Sequence, residues 1–286
     1  AEVPAVIINS QRGGPSTGIP TKTEQSDLTA AVGGGTGDCP RVVLAPTDTA
    51  SCYEAMVLAL YYAEKYQTLA VLLLDFFLSN SIRNIPIPAK PDPELLNANV
   101  APDTDELNHY KRYRITESGI SPRTIPGTPG GIFFATGLEH DEQGRPNYSD
   151  QGHTAMTQKR YAKFNQVLAD APAVEVHSTD LDAETYDIGV VSWGSSAGAA
   201  HEAVMFAGKE GIASASFSSM LMSPFPQAEL EQFAARCKKI LVPELNFSGQ
   251  FAGMVSAMLC RPVERLNFVT GKPMASEDIL EKMRSM

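Results

Sequence analysis

Between residues 184 and 286, short apolar runs and helix-period segments take turns with little between them, and few folds accommodate that rhythm. Tyr186 to Trp193 reads as a buried strand, followed by strands at Ile212 to Phe217, Lys239 to Pro243 and Val263 to Val269. Helices are expected over Ala197 to Lys209, Pro226 to Arg236 and Gly249 to Leu259, with Ser276 capping a last one that runs to Met286. Four βα units in about a hundred residues predict a three-layer α/β domain with a largely parallel sheet.

The first 80 residues repeat the theme. Val6-Ile7-Ile8 reads as a buried strand and Arg41 to Leu44 as a second, after the turn signals Gly33-Gly34-Gly35 and Gly37-Asp38. Pro46-Thr47-Asp48 opens a helix over 49–66, with Thr47 or Asp48 as its N-cap; Ala55, Leu58, Ala59 and Tyr62 recur at helical spacing. Leu69 to Leu74 is uniformly apolar, so strand, helix and strand imply a right-handed crossover in a parallel sheet. A chain of 286 residues suits two such units.

Between them the character changes. Pro86, Pro88, Pro91 and Pro93 fall close together, and Pro122, Pro126, Gly127, Pro129, Gly130 and Gly131 continue the pattern. So long a stretch without helices of its own is usually functional or interface-forming. Lys111, Arg112, Arg114, Arg123, Glu117, His140 and His153 lie in it, and Gly152 to Asp170 reads as a polar helix before the linker signal Ala171-Pro172. The expected division is residues 1–80, an excursion and linker over 81–183, and residues 184–286.

Lys and Arg total 23 against 33 acids, a net charge of −10, which disfavours nucleic acid and offers no basic membrane patch. Leu69 to Leu78, the longest apolar run, contains Asp75 and is too short to span a bilayer; no signal peptide is expected. Cys39, Cys52, Cys237 and Cys260 form no C-x-x-C pair, which argues against an iron–sulfur or zinc site and fits buried thiols in a reducing cytoplasm. The five histidines include no H-x-x-x-H pair. Because Ala1 stands so close to an interior-type strand, the chain reads as cut from something longer.

Residues 11–28 carry the chemistry. Gly13, Gly14, Gly18, Pro15 and Pro20 argue against regular helix or strand there, while Arg12, Ser16, Thr17, Thr21, Lys22 and Thr23 are mostly donors. A donor-rich loop leaving a strand end is where open α/β sheets hold anions. A carboxylate or phosphate clamp headed by Arg12 is one reading; a solvated loop whose arginine pairs with a nearby acid is the other.

Other motifs weigh less. Gly33-Gly34-Gly35 lacks the G-K-[ST] ending of a P-loop and reads as a turn. Gly194-Ser195-Ser196-Ala197-Gly198 matches a nucleophile elbow, but the last histidine, His201, lies on the same helix as Ser196, so no triad forms. The glycines there serve a tight turn. Glu244 ends a strand at the functional edge of a parallel sheet and either acts there or caps the next helix.

Five stretches together resemble the α subunit of 2-oxoacid:ferredoxin oxidoreductases, and among those most closely the 2-oxoglutarate enzymes. They are QRGGPSTGIPTKTEQSDL from Gln11, YRITESGISPRTIPGTPGG from Tyr113, ATGLEHDEQGRP from Ala135, VVSWGSSAGA from Val190 and LVPELNFSGQF from Leu241. The resemblance runs over nearly the whole chain. Ala213 to Phe217 and Met254-Val255-Ser256 are less typical. It implies the back half of a thiamine-diphosphate pyrimidine-binding domain followed by a transketolase C-terminal-like domain. It also implies a β subunit that carries the diphosphate end of the cofactor, Mg²⁺ and a 4Fe–4S cluster. CoA, a 2-oxoacid and ferredoxin are the implied reactants, with 2-oxoglutarate, pyruvate or a branched acid as the substrate. The family's Tyr-Pro-Ile-Thr-Pro motif and cofactor-activating Glu precede Gln-Arg-Gly-Gly, so no catalytic residue is assigned here and this chain is expected to be a C-terminal portion. By resemblance Arg12 binds the substrate carboxylate, supported by Ser16, Thr17, Thr21 and Lys22. A dicarboxylate needs a second cation, for which Arg112, Arg114, Arg123 and Lys22 are the candidates. A non-catalytic subunit that only binds partner chains is the alternative.

Overall fold

A computed structural model of the chain describes residues 2–96, 98–180 and 182–286. The first part holds β1 (Ala5–Gly13), β2 (Ile19–Thr23), α1 (Leu28–Gly33), β3 (Val42–Leu44), α2 (Thr49–Tyr66), β4 (Leu69–Asp75) and α3 (Phe76–Asn80). A short α4 (Pro93–Leu96), a 3-10 segment at Thr104–His109 and the long α5 (Asp150–Ala169) follow. Then come β5 (Glu175–Ser178), β6 (Tyr186–Ser192), α6 (Ser196–Lys209), β7 (Ser214–Ser218) and β8 (Leu221–Ser223). The chain closes with α7 (Gln227–Ala235), β9 (Cys237–Glu244), α8 (Gln250–Leu259), β10 (Glu264–Asn267) and α9 (Ser276–Arg284).

Two five-stranded sheets result, ordered β2-β1-β4-β3-β8 and β10-β9-β6-β7-β5. The apolar runs read from the sequence form their parallel interiors: β1, β4 and β3 in one, β10, β9, β6 and β7 in the other. The three remaining strands are antiparallel edges. In the second sheet α6 and α9 pack on one face. Helices α7 and α8 cover the other, in a core shared with Leu28, Val43, Val71 and Leu73 of the first part. The two α/β units therefore meet through a common apolar layer.

Local chemistry sets the boundaries. Asp48 opens α2, its Oδ1 accepting Ser51 N–H at 2.7 Å while Ser51 Oγ accepts Asp48 N–H at 3.0 Å. Four expectations need correction. Strand β1 is not buried, since Ile7 is 51% and Ile8 57% exposed and neighbouring strand residues face opposite sides, so both faces are open to solvent at these two positions. Ser276 does not cap α9: its hydroxyl donates to Glu202 at 2.6 Å, and Ala275 holds the cap position. Cys39 and Cys260 are exposed, so the thiols are not all buried. The excursion does contain helical turns, at α4 and at Thr104–His109.

Polar links fasten that excursion down. Glu2 pairs with Lys159 at 2.5 Å and Lys163 at 3.2 Å, both on α5 and buried, and burial lowers Lys163 to about 8. Arg112 donates to Gln67 Oε1 at 2.8 Å and Glu2 O at 2.7 Å. Glu139 is bonded by Arg160 and by His153 at 2.6 Å, on α5. Hydrogen bonding from Arg160 first, then His153, outweighs burial and brings Glu139 from 4.5 down to about 2. Because the folded value is depressed, the stabilisation is fully present above the unfolded value and is lost as pH falls from there towards the folded one. Acid unfolding of Glu139→Gln should consequently be flatter than wild type between pH 4.5 and 2, read as thermal midpoint against pH. Parallel curves would remove Glu139 as an acid-side determinant.

Candidate functional site

Glycine and proline do not keep regular structure out of residues 11–28. Gln11, Arg12 and Gly13 finish β1, and Ile19 and Pro20 begin β2, so the stretch is a β-hairpin. Arg12 stands opposite Thr23, with an irregularity between Arg12 and Gly13. Pro20 is tolerated because β2 is an edge strand. Gly18, with φ +47°, closes the tip; a Cβ there would lie 2.0 Å from Gly13 O.

Strand alternation then sorts the side chains. Gln11 and Gly13 are buried and Arg12 is exposed. Gln11 Nε2 donates to Leu74 O at 3.2 Å and its Oε1 accepts Asp27 N–H at 2.9 Å, which ties the hairpin to β4. Thr23 Oγ1 accepts Phe77 N–H at 3.2 Å. Arg12 itself has no hydrogen-bond or ion-pair partner among the described residues. It faces an open depression of about 510 Å³ lined also by Asn9, Ser10, Ser16, Glu24, Ser26 and Asp27.

Of the expected ligand contacts, Arg12 and Ser16 share this depression. Thr17, Thr21 and Lys22 are exposed and do not line it; the Lys22 stem packs where a Cβ on Gly271 would come within 2.7 Å. Nor does a second cation. Arg112 is buried in its own network, Arg114 pairs with Glu106, and Arg123 pairs with Glu64 while bonding Asn99 at 3.0 Å. Sequence reasoning missed Glu24 and Asp27 as lining groups. Their only signal was position, just after β2.

The hairpin is held to the second α/β unit by Gln25, which is fully buried. Its Nε2 donates to Trp193 O at 2.9 Å and its Oε1 accepts Leu245 N–H at 3.1 Å, while Gln25 N–H donates to Leu245 O at 2.8 Å. Asn246 Nδ2 donates to Gln25 O at 2.9 Å. Asp75, at the end of β4, accepts Ser195 N–H at 2.9 Å and Leu78 N–H at 3.0 Å. These groups occupy the turn between β6 and α6. Gly194, with φ +56°, leaves room for them; its Cβ would sit 2.7 Å from Gln25 Nε2.

The elbow motif is thus a junction. Ser196 is fully buried and its hydroxyl donates to Trp193 O at 2.7 Å, which leaves it no nucleophilic role. Glu244 is likewise spent on structure, accepting Phe251 and Ala252 N–H at 2.9 and 3.0 Å at the start of α8, and Asn246 Nδ2 at 2.5 Å. Among the described residues no group of three or more His, Cys, Asp or Glu side chains could hold a metal ion. None of their helices is long and apolar enough to cross a membrane.

Residues 1–159 match the family model described as "Pyruvate flavodoxin/ferredoxin oxidoreductase, thiamine diP-bdg", and residues 186–279 match "Pyruvate:ferredoxin oxidoreductase core domain II". The chain is 35% identical to the 2-oxoglutarate oxidoreductase subunit KorA of Mycobacterium tuberculosis, over 97% of this chain and 41% of that protein. It is 30% identical to the 2-oxoglutarate synthase subunit KorA of Methanothermobacter marburgensis, over 100% of this chain and 74% of the relative. In structure it is similar to the 2-oxoglutarate:ferredoxin oxidoreductase from Magnetococcus marinus with 2-oxoglutarate, coenzyme A and succinyl-CoA bound. There the TM-score is 0.91 at 39% identity, covering 99% of this chain and 49% of that one. A split-gene transketolase shares the fold at TM-score 0.51 and 14% identity, over 98% of this chain and 65% of that one. The chain spans less than half the length of several of these proteins.

Proposed function

Because the chain belongs to the α-subunit family of 2-oxoacid:ferredoxin oxidoreductases, we propose that it forms part of a complex that oxidatively decarboxylates 2-oxoglutarate, or runs the reverse carboxylation, with CoA and ferredoxin. The observation that carries this reading is Arg12, a guanidinium without a partner among the described residues, at the carboxyl end of a parallel strand in a chain with these relatives. A guanidinium stays charged and binds a carboxylate through two parallel N–H bonds, so it can fix a 2-oxoacid without exchanging protons with it. Ser16 adds a hydroxyl at the same depression. Thr17, Thr21 and Lys22 belong to the same hairpin but stand outside the lining of the depression.

Thiamine diphosphate, when bound, supplies the electron sink for loss of CO₂. The described residues of the depression suit a small carboxylate and not a metal-bound diphosphate, since they include no metal-ligand cluster. The family resemblance supports placing the diphosphate end, Mg²⁺ and the 4Fe–4S cluster in a β subunit. The missing cation for a distal carboxylate also lies outside this depression.

A panel of 2-oxoacids offered to the assembled complex with CoA and a viologen acceptor tests the substrate. Acceptor reduction with 2-oxoglutarate at a kcat/KM at least tenfold above pyruvate is expected. The reverse order would make this a pyruvate-type enzyme, and no 2-oxoacid-dependent reduction at all would leave only the partner-binding role.

A further inference from the structure

A simple anion clamp has no use for a buried carboxylate beside its arginine, yet Glu24 lines the Arg12 depression and is only 6% exposed. Among the described residues its carboxylate has one hydrogen-bond donor, Ser26 Oγ, at 3.1 Å from Oε2, and it forms no ion pair. The other lining carboxylate, Asp27, is already engaged by Asn9 Nδ2 at 3.1 Å. Glu24 is also held in place. Thr23 on one side is paired with Arg12 in the hairpin, and Gln25 on the other is locked into the junction. The missing side chain of Gly13 makes room for it, since a Cβ there would stand 3.2 Å from Glu24 Oε1.

We propose that Glu24 opposes the carboxylate that a 2-oxoacid places on Arg12, weakening its binding in the ground state and relieving that repulsion as CO₂ departs. The inference rests on the function proposed above. A buried carboxylate repels a second carboxylate facing it more strongly than two fully solvated carboxylates repel each other. Breaking the C1–C2 bond releases C1 as neutral CO₂ and leaves the bonding electron pair on the C2 side, for which thiamine diphosphate, when bound, would supply the electron sink. The charge facing Glu24 is then gone. An interaction that is unfavourable before the reaction and absent after it raises kcat at the cost of KM.

The test uses the assembled complex with Glu24→Gln, Glu24→Ala and Glu24→Asp, read by steady-state kinetics. Calorimetry with the unreactive 2-hydroxy analogue of the substrate reads binding alone. The Gln variant should bind the analogue about threefold to thirtyfold more tightly and show a similar drop in KM. Its kcat should fall enough to keep kcat/KM within about threefold, the pattern of removed ground-state strain. Glu24→Ala must move binding in the same direction, and Glu24→Asp, which keeps the charge, should stay within about threefold of wild type. Unchanged or weaker analogue binding in the two neutral variants overturns the inference. A wild-type complex that turns over no 2-oxoacid overturns the underlying reading instead.

Discussion

Arg12→Ala, assembled into the complex, is expected to raise KM for the 2-oxoacid, and to weaken binding of its unreactive 2-hydroxy analogue, by about tenfold to several hundredfold. Hydrogen bonds to a charged group are worth about 1.5–3 kcal/mol each, and a bidentate fork makes two of them. One such bond at the lower bound already gives roughly tenfold. Stability should be unaffected, because Arg12 is exposed and has no partner among the described residues. Arg12→Lys keeps the charge without the fork and should recover only part of the loss. Because the carboxylate that Arg12 holds leaves as neutral CO₂, the loss should fall on KM and not on kcat. A KM and an analogue affinity both within twofold of wild type, at matched thermal midpoints, would remove Arg12 from the substrate contacts.

Where burial is local and uniform, this sequence was readable. The runs at β3, β4, β6 and β9 are apolar because both faces of a parallel sheet are covered, and their order needed nothing beyond that pattern. Strand β8 was not readable: Leu221-Met222-Ser223 is three residues long and pairs antiparallel with Val43 and Leu44 of the other sheet, a partner no local window contains. The hairpin of residues 11–23 was hidden by its glycines and prolines, which act as strand breakers in isolation but fit a bulge, a tip and an edge. At the site, Arg12 could be found from residue type and family resemblance. Glu24 could not, because its interest lies in being buried with no cation partner among the described residues, and sequence does not display burial. The division of labour within the depression is therefore a tertiary property.

The same hairpin depends on its junction, and Gln25→Leu is expected to lower the thermal midpoint by about 2–12 °C. Leucine has a similar volume, so the loss is polar: Leu245 N–H is left without its side-chain partner, while Trp193 O keeps only the Ser196 hydroxyl. Leaving a buried polar group unsatisfied costs about 1–3 kcal/mol, and about 1 kcal/mol moves the midpoint of a domain of this size by some 2–4 °C. Gly194→Ala should be damaging for a coupled reason, since its Cβ would fall 2.7 Å from Gln25 Nε2 in a backbone conformation, φ +56°, that alanine disfavours. Combining Gly194→Ala with Gln25→Ala separates the two effects. The shorter side chain removes the collision and leaves the backbone strain, so the double variant should be more stable than the sum of the singles by about 0.5–3 kcal/mol. Strict additivity would mean that Gly194 is required for its backbone alone and that Gln25 is not what presses against this turn.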